Sequence, residues 1–495
     1  MGLLLAGAGA LTLAREMPRE HATVLGDPCR TPAHVLEPAA GYPRGTALVF
    51  HGLAASEAIM QPLGQSLAAA GWRVYLLDLA GHGRSLVPFS YANAETCAAG
   101  AVDWLEHAGR IQPDKTVLVG HSLGGAIVVR LADRSPMAAT IAISPAPLVL
   151  PVRMPSNLLI LAGEFDLGPV KQTARELLAA AQGTRASQAD FIERRAVGFQ
   201  ILPGELHGTM VLDPRVWRLA DEWSARAVGL PDRVPAAAVA RPSGALLGDL
   251  ALIVGLILLV APIETVAAKI FSVHPRAAVA AIPKLSWRGA LLRWALAAFF
   301  AVGALGLLSA PVYLHPIGLE DGDWAALVAL VAGIALMVLE KQRVEAALGI
   351  DPRAQAFAGA TGVFLVVIFA LALRPDFLEA YFSVARIWRW VVLVGFTWPY
   401  LIAEEAVLGE PGGWGRFSLF LAMRGLLWLA QLFALLVFWR WGLLLVLTGL
   451  GFGIVSIGQR LAADALRRRG AGPTSTALFD AVVISGLLAL VLPLT

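Results

Sequence analysis

Downstream of residue 244 the chain carries apolar runs that a soluble core does not supply in such number. They are Leu246–Val260, Trp294–Val312, Trp324–Leu339, Phe357–Leu373, Trp390–Ile402, Phe417–Phe438, Trp441–Ile457 and Ala477–Leu494. A helix needs ~20 mostly apolar residues to cross ~30 Å of hydrocarbon. With weakly polar flanks each run reaches that length, so residues 245–495 are predicted to form a transmembrane domain of about eight helices. Trp287, Trp294, Trp324, Trp388, Trp390, Trp439 and Trp441 stand at run edges, where an amphipathic ring suits the headgroup level. Charged residues make up only 15% of the chain, against ~25% in soluble proteins, which excludes one large soluble enzyme. A hydrophobic content of 57% excludes disorder. The net charge of +3 gives no reason to expect a nucleic-acid partner; membrane lipids are the expected surroundings.

The composition changes across residues 231–244, a stretch of Pro, Ala, Arg and Gly that reads as a linker. Basic residues are unevenly shared between the loops of the second half. The loops after the first, third, fifth and seventh runs hold 13, and the alternate loops hold 4. By the positive-inside rule the first set is cytoplasmic. This integral, multi-pass arrangement puts residues 21–230 on the extracytoplasmic side. Residues 1–20 begin with the thirteen-residue apolar stretch Gly2–Ala14. It has the length of a signal core but lacks basic residues ahead of it. Three readings stand: a signal, a short anchor, or the end of a longer segment.

Between His21 and Leu230, short apolar runs alternate with helical periods. Thr46–His51, Val74–Leu79, Thr116–Gly120, Ala139–Ile143, Asn157–Ala162 and Gly198–Leu202 read as strands, and Ala94–Ala108, Gly125–Arg134 and Val170–Ala181 read as helices. Strands of this kind form a mostly parallel sheet covered on both faces. Reactive groups in such a fold sit at the carboxyl ends of strands. There the sequence places Gly120-His121-Ser122-Leu123-Gly124, the G-x-S-x-G pattern of a tight strand-to-helix turn that lifts a serine hydroxyl clear of the sheet. Gly120 and Gly124 are needed where side chains would strike neighbouring backbone.

From these residues the chain resembles the α/β-hydrolase superfamily over about residues 22–230. The resemblance implies a doubly wound, mostly parallel sheet followed, in this chain, by an all-α multi-span bundle of no recognised family. It implies Ser122 as nucleophile, His207 in Gly204-Glu205-Leu206-His207-Gly208 as base, and Asp166 in Gly163-Glu164-Phe165-Asp166 as its partner, with Glu164 the rival acid. His51-Gly52-Leu53 stands where an oxyanion loop belongs, so the amides of Leu53 and Leu123 are expected to hold the oxyanion. Gly81-His82-Gly83-Arg84-Ser85 occupies a further turn typical of the family. His51, His121, His82 and Arg84 are expected to shape loops. A serine hydroxyl cannot attack unaided; an imidazole must take its proton, and a carboxylate must hold the imidazole. The implied activity is hydrolysis of carboxylic esters, including lipid or acyl esters, through an acyl-enzyme, with no metal or organic cofactor. A thioesterase or an acyltransferase on the same residues is the alternative, as is a transporter or membrane assembly partner with a hydrolase-like binding domain.

Only Ser144–Ser156 separates the strand at Ala139–Ile143 from the next. That is too short for a helical lid, although its apolar residues could wall a shallow site. The two cysteines, Cys29 and Cys97, rule out a disulfide scaffold; one bridge or two thiols both fit. In the second half, Asp249, Glu404 and Glu405 fall near run ends and are expected at interfaces. Arg424 and Asp480 lie deeper and are expected to pair.

Overall fold

The computed structural model describes residues 1–16, 20–38, 42–230, 242–274, 286–309, 316–373, 382–409, 413–438 and 449–495. Most of the expected linker and the first part of the run at 441–457 lie outside them. The chain divides into two compact units. One holds residues 7–252 with 493–495, and the other holds residues 1–6 with most of 253–492.

The first unit is built on eight strands: β1 (Glu20–Val24), β2 (Pro32–Leu36), β3 (Thr46–Phe50), β4 (Arg73–Leu77), β5 (Thr116–His121), β6 (Ala139–Ile143), β7 (Leu158–Gly163) and β8 (Val197–Leu202). They form one sheet in the order β1-β2-β4-β3-β5-β6-β7-β8. The first two pairings are antiparallel and the rest are parallel. Strands β3, β5, β6 and β7 are buried along their whole length, as sheets covered on both faces require. Residues 2–16 form helix α1 (Gly2–Glu16). The layers are supplied by α2 (Gln61–Ala69), α3 (Tyr91–His107), α4 (Leu123–Arg134), α5 (Gly168–Ala180), α6 (Gln188–Ile192) and α7 (Pro214–Ala227). One core gathers Trp72, Leu76, Val119, Ile141, Trp217 and Trp223. The core on the opposite face gathers Leu48, Phe50, Leu118, Leu105 and Ile127.

The six strands expected from the sequence are those observed as β3–β8, with ends shifted by a residue or so. The hairpin β1–β2 was not expected. Its strands, Glu-His-Ala-Thr-Val and Pro-Ala-His-Val-Leu, are only five residues each, the first polar and the second interrupted by His34, and the second pairs with β4. A disulfide joins Cys29, in the connection between these strands, to Cys97 on α3. It fixes the edge of the sheet to the helix layer.

The second unit is helical: α8 (Pro242–Ile270), α9 (Trp287–Ser309), α10 (Gly322–Leu339), α11 (Lys341–Ala347), α12 (Pro352–Leu373), α13 (Val384–Leu408), α14 (Trp414–Phe438), α15 (Gly449–Arg468) and α16 (Pro473–Val491), with the first residues of α8 grouping with the sheet. Among the described residues, five helices are long and apolar enough to cross a membrane, namely α9, α10, α13, α14 and α16. They make the helical region a multi-pass membrane unit. The packing uses small residues. A Cβ on Gly333 of α10 would lie 2.4 Å from the Tyr400 amide of α13, and one on Gly486 of α16 would lie 2.9 Å from the Trp390 ring. Small residues let helix backbones approach where no hydrophobic force drives helices together.

The buried charges differ from the expectation. Arg424 does not pair with Asp480. Its Nε and Nη2 donate to the two carboxylate oxygens of Glu404 at 2.8 and 2.7 Å. Glu404 lies four residues before the end of α13 and Arg424 ten residues after the start of α14, and the packing of these two helices brings the side chains together. Glu405 accepts from Arg460, and from Arg467 at 3.5 Å, and both glutamates are fully buried within the protein. Asp480 Oδ1 is buried without a hydrogen-bond partner among the described residues. The Asp249 side chain lies outside the described residues.

Candidate active site

Strand β5 ends in a turn that sequence and sterics dictate together. Ser122 has φ 52° and ψ −114°, a left-handed conformation that costs a non-glycine residue of order 1–3 kcal/mol. The surroundings hold it there. The Ser122 amide donates to Ile143 O at 2.9 Å, and the Ser122 carbonyl accepts from Ala126 and Ala146 at 3.0 and 2.9 Å. The flanking glycines are obligatory. A Cβ on Gly120 would stand 2.2 Å from Gly124 O, and one on Gly124 would stand 2.3 Å from Phe50 O.

The turn presents the Ser122 hydroxyl to His207. Ser122 Oγ lies 2.9 Å from His207 Nε2, and His207 Nδ1 lies 2.7 Å from Asp166 Oδ1. These three side chains come from the β5–α4 turn, the β7–α5 loop and the loop after β8. The parallel sheet brings those loops to one end. Asp166, and not Glu164, meets the histidine; Glu164 Oε2 instead accepts the Gly204 amide at 2.9 Å. Asp166 also accepts the amides of Leu167 at 2.9 Å and Gly163 at 3.3 Å. Burial pushes the Asp166 pKa up, but the hydrogen bond and charge of His207 and the backbone donors outweigh it, so the carboxyl sits below its ordinary value. It is therefore ionised at neutral pH.

His121 has a role that the motif alone does not show. Its Nε2 donates to the backbone carbonyl of His207 at 2.9 Å. Burial, and then the neighbouring His207, lower its pKa to about 3. His121 thus stays neutral and keeps this bond across the physiological range. It clamps the loop that carries His207.

The loop after β3 is braced in the same way. His51 Nδ1 donates to Gly52 O at 2.7 Å and its Nε2 accepts the Leu79 amide at 3.0 Å. Burial lowers its pKa. His82 Nε2 accepts the Ala54 amide at 3.1 Å. Leu53 lies between the two anchored residues, and a Cβ on Gly52 would come within 3.1 Å of Ser122 Cβ. Leu123 opens α4, where helix amides lack intrahelical acceptors. Sequence reasoning missed Asp78. Its Oδ1 accepts the Glu57 amide and its Oδ2 the Arg84 amide, both at 3.0 Å. The spacing Asp78 to Gly81-His82-Gly83 was the available signal: a Cβ on Gly83 would strike Asp78 Oδ1 at 2.1 Å. Arg84 completes this turn, its Nε 3.5 Å from Asp78.

The segment after β6 forms no helix, so no helical lid follows that strand. Its Val149 and Val152 are 81% and 93% exposed.

The model of the hydrolase family described as serine aminopeptidase, S33, matches residues 41–195. Residues 41–195 belong to an α/β-hydrolase domain. A Mycobacterium phage D29 protein whose name ties it to non-heme haloperoxidases is 36% identical over 93 residues, which cover 19% of this chain and 32% of that protein. The chain thus spans about a third of the length of this curated relative. Among solved structures, TT1662 from Thermus thermophilus matches at 17% identity and TM-score 0.34, covering 43% of this chain and 100% of that one. XC6422 from Xanthomonas campestris, described as an α/β serine hydrolase without lid, matches at 18% identity and TM-score 0.34, covering 44% and 97%.

Proposed function

We propose that the hydrolase domain cleaves carboxylic esters with an apolar acyl part, using Ser122 as nucleophile, while the helical unit holds it at a membrane. The reading rests on the continuous hydrogen-bond line from the Ser122 hydroxyl through His207 to Asp166. His207 takes the hydroxyl proton as Ser122 attacks the ester carbonyl carbon. Asp166 fixes the imidazole with its proton on Nδ1 and stabilises the imidazolium that forms. The amides of Leu53 and Leu123 receive the oxyanion. Collapse of the tetrahedral intermediate breaks the bond to the leaving alcohol, which takes the proton from His207. Water then repeats the sequence on the acyl-Ser122 ester and releases the acid.

The hydrolase domain lies on the extracytoplasmic side in this reading. Two independent features support that orientation: the 13-to-4 division of basic residues between alternate loops, and the Cys29–Cys97 bridge, a bond that persists in oxidising compartments.

The test is a panel of p-nitrophenyl esters of increasing acyl length, the matching thioesters and aminoacyl anilides, offered to the full chain in detergent. Ester turnover that Ser122→Ala abolishes supports the reading. Exclusive turnover of anilides would transfer it to the peptidase chemistry named by the matching family. Acyl transfer to an added alcohol in preference to water would make it an acyltransferase.

A further inference from the structure

The helical unit contains a cavity of about 350 Å³, within the size range of small-molecule sites. Helices α10, α13, α14, α15 and α16 all contribute to its wall. Most of the wall is apolar, and its polar groups are anchored from behind. Tyr400 Oη accepts from Trp294 Nε1 at 3.0 Å, Thr397 Oγ1 meets Ser485 Oγ at 3.1 Å, and Gln431 Oε1 accepts from Trp324 Nε1 at 2.5 Å. Arg424 belongs to the wall as well, held in its bidentate bond to Glu404. Such anchoring keeps the polar groups in place whether or not anything occupies the space.

The space is real room rather than loose packing. Among the described residues, a Cβ built on Gly425 or on Gly453, both on the wall, meets no atom within 4 Å. The α14 residues on the wall run from Leu421 to Gln431, a rise of about 15 Å at 1.5 Å per residue. A small volume spread over that length suits one extended chain. Leu421 and Trp428 also reach the outer surface of the unit, 37% and 38% exposed. On a membrane-spanning helix that surface meets hydrocarbon, so the way in is from the lipid.

The charge balance selects the head group. Glu404 neutralises Arg424, so the pair presents no net charge to a ligand head in this low-dielectric space. The pair nevertheless keeps hydrogen-bonding capacity, because a bidentate carboxylate uses two of the five guanidinium N–H groups. An uncharged head that both donates and accepts fits it. We infer that this cavity is a second binding site, for a single-chain neutral lipid with a hydroxyl head, its chain along α14 and its hydroxyl at the Arg424–Glu404 pair. The inference does not depend on the ester chemistry of the other unit.

Photocrosslinking tests it. The full chain in detergent micelles is irradiated with hexadecanol carrying a mid-chain diazirine, and in parallel with the acid and amine of the same chain, and the adducts are mapped. The alcohol should label α14 between Leu421 and Gln431 saturably, and plain hexadecanol should compete. Gly425→Leu and Gly453→Leu, which fill the space without a backbone clash, should each lower that labelling by about tenfold. Labelling at the outward-facing Leu307 and Leu308 of α9, 75% and 72% exposed, should not saturate or change. The inference is overturned if α14 labelling is no more saturable than that of α9. It is equally overturned if both filling variants label normally while melting like the parent, or if the acid or amine labels the same residues as well as the alcohol does. The competition arm in the parent chain decides the matter even where a filling variant fails to fold.

Discussion

The two units bury charge in opposite ways. In the hydrolase domain a buried carboxylate, Asp166, holds one end of a hydrogen-bonded line whose other end is the Ser122 hydroxyl, the nucleophile in the proposed reading. The His207 side chain between them is 20% exposed. In the helical unit the buried carboxylates of Glu404 and Glu405 are closed off by arginines from neighbouring helices. Both arrangements offset the cost of desolvating a carboxylate, but only the first leaves a proton somewhere to go. Burial of an ionisable group therefore does not by itself mark chemistry; in the proposed reading the open-ended line does.

Substitutions can break that contrast. The largest effect is expected in the open line. His207→Gln should lower kcat for ester hydrolysis by about 10⁴-fold or more, and Asp166→Asn by about 10⁴-fold, with KM little changed. Steady-state kinetics on the folded variants checks both. Next, Arg424→Leu strands Glu404 and should cost about 3–5 kcal/mol of helical-unit stability, read by denaturation in detergent. The double change Arg424→Leu with Glu404→Leu should recover most of it. Turnover per folded molecule should stay at the parent level in both, since the closed pair takes no part in the reaction. If the single variant abolished turnover without unfolding, the contrast would collapse.

The Cys29–Cys97 bridge comes third. Cys97→Ser should destabilise the hydrolase domain by about 2–4 kcal/mol, seen as a lower thermal midpoint that reductant no longer shifts. The smallest effect concerns Asp221. Burial raises its pKa, opposed by the hydrogen bond from Trp72, which donates to Oδ1 at 2.8 Å, while Oδ2 is buried without a hydrogen-bond partner among the described residues. The folded state therefore holds this proton more tightly than the unfolded chain. Its contribution is fully favourable below the unfolded value near ~4 and is lost as pH rises through the folded value. Asp221→Asn should raise the thermal midpoint at pH 7 by no more than a few degrees and leave it nearly unchanged near pH 4.

What could be read from the sequence followed from how local each signal is. The parallel strands β3–β8 announced themselves as apolar runs, because both sheet faces are covered. The turn at Ser122 was legible because its glycines are demanded by contacts within the turn and with Phe50, the residue that ends β3. Asp166 and His207 were legible through their places at strand ends, and their distances were not, since those depend on three loops meeting. The hairpin β1–β2 did not stand out because β1 is polar and β2 is a run of only five residues broken by His34. The pairing of Arg424 with Glu404 rather than Asp480 depends on how α13 and α14 pack, which spacing along the chain does not give. The clamp from His121 to the His207 carbonyl joins residues 86 positions apart, and a single sequence holds no trace of that contact.

The most direct measurement is covalent: the purified full chain is treated with a fluorophosphonate, digested, and the adduct located by mass. The account predicts one adduct, on the Ser122 hydroxyl, formed rapidly by the parent chain and lost in His207→Gln. A folded, unlabelled parent chain, or an adduct on another serine with Ser122 unmodified, would contradict it.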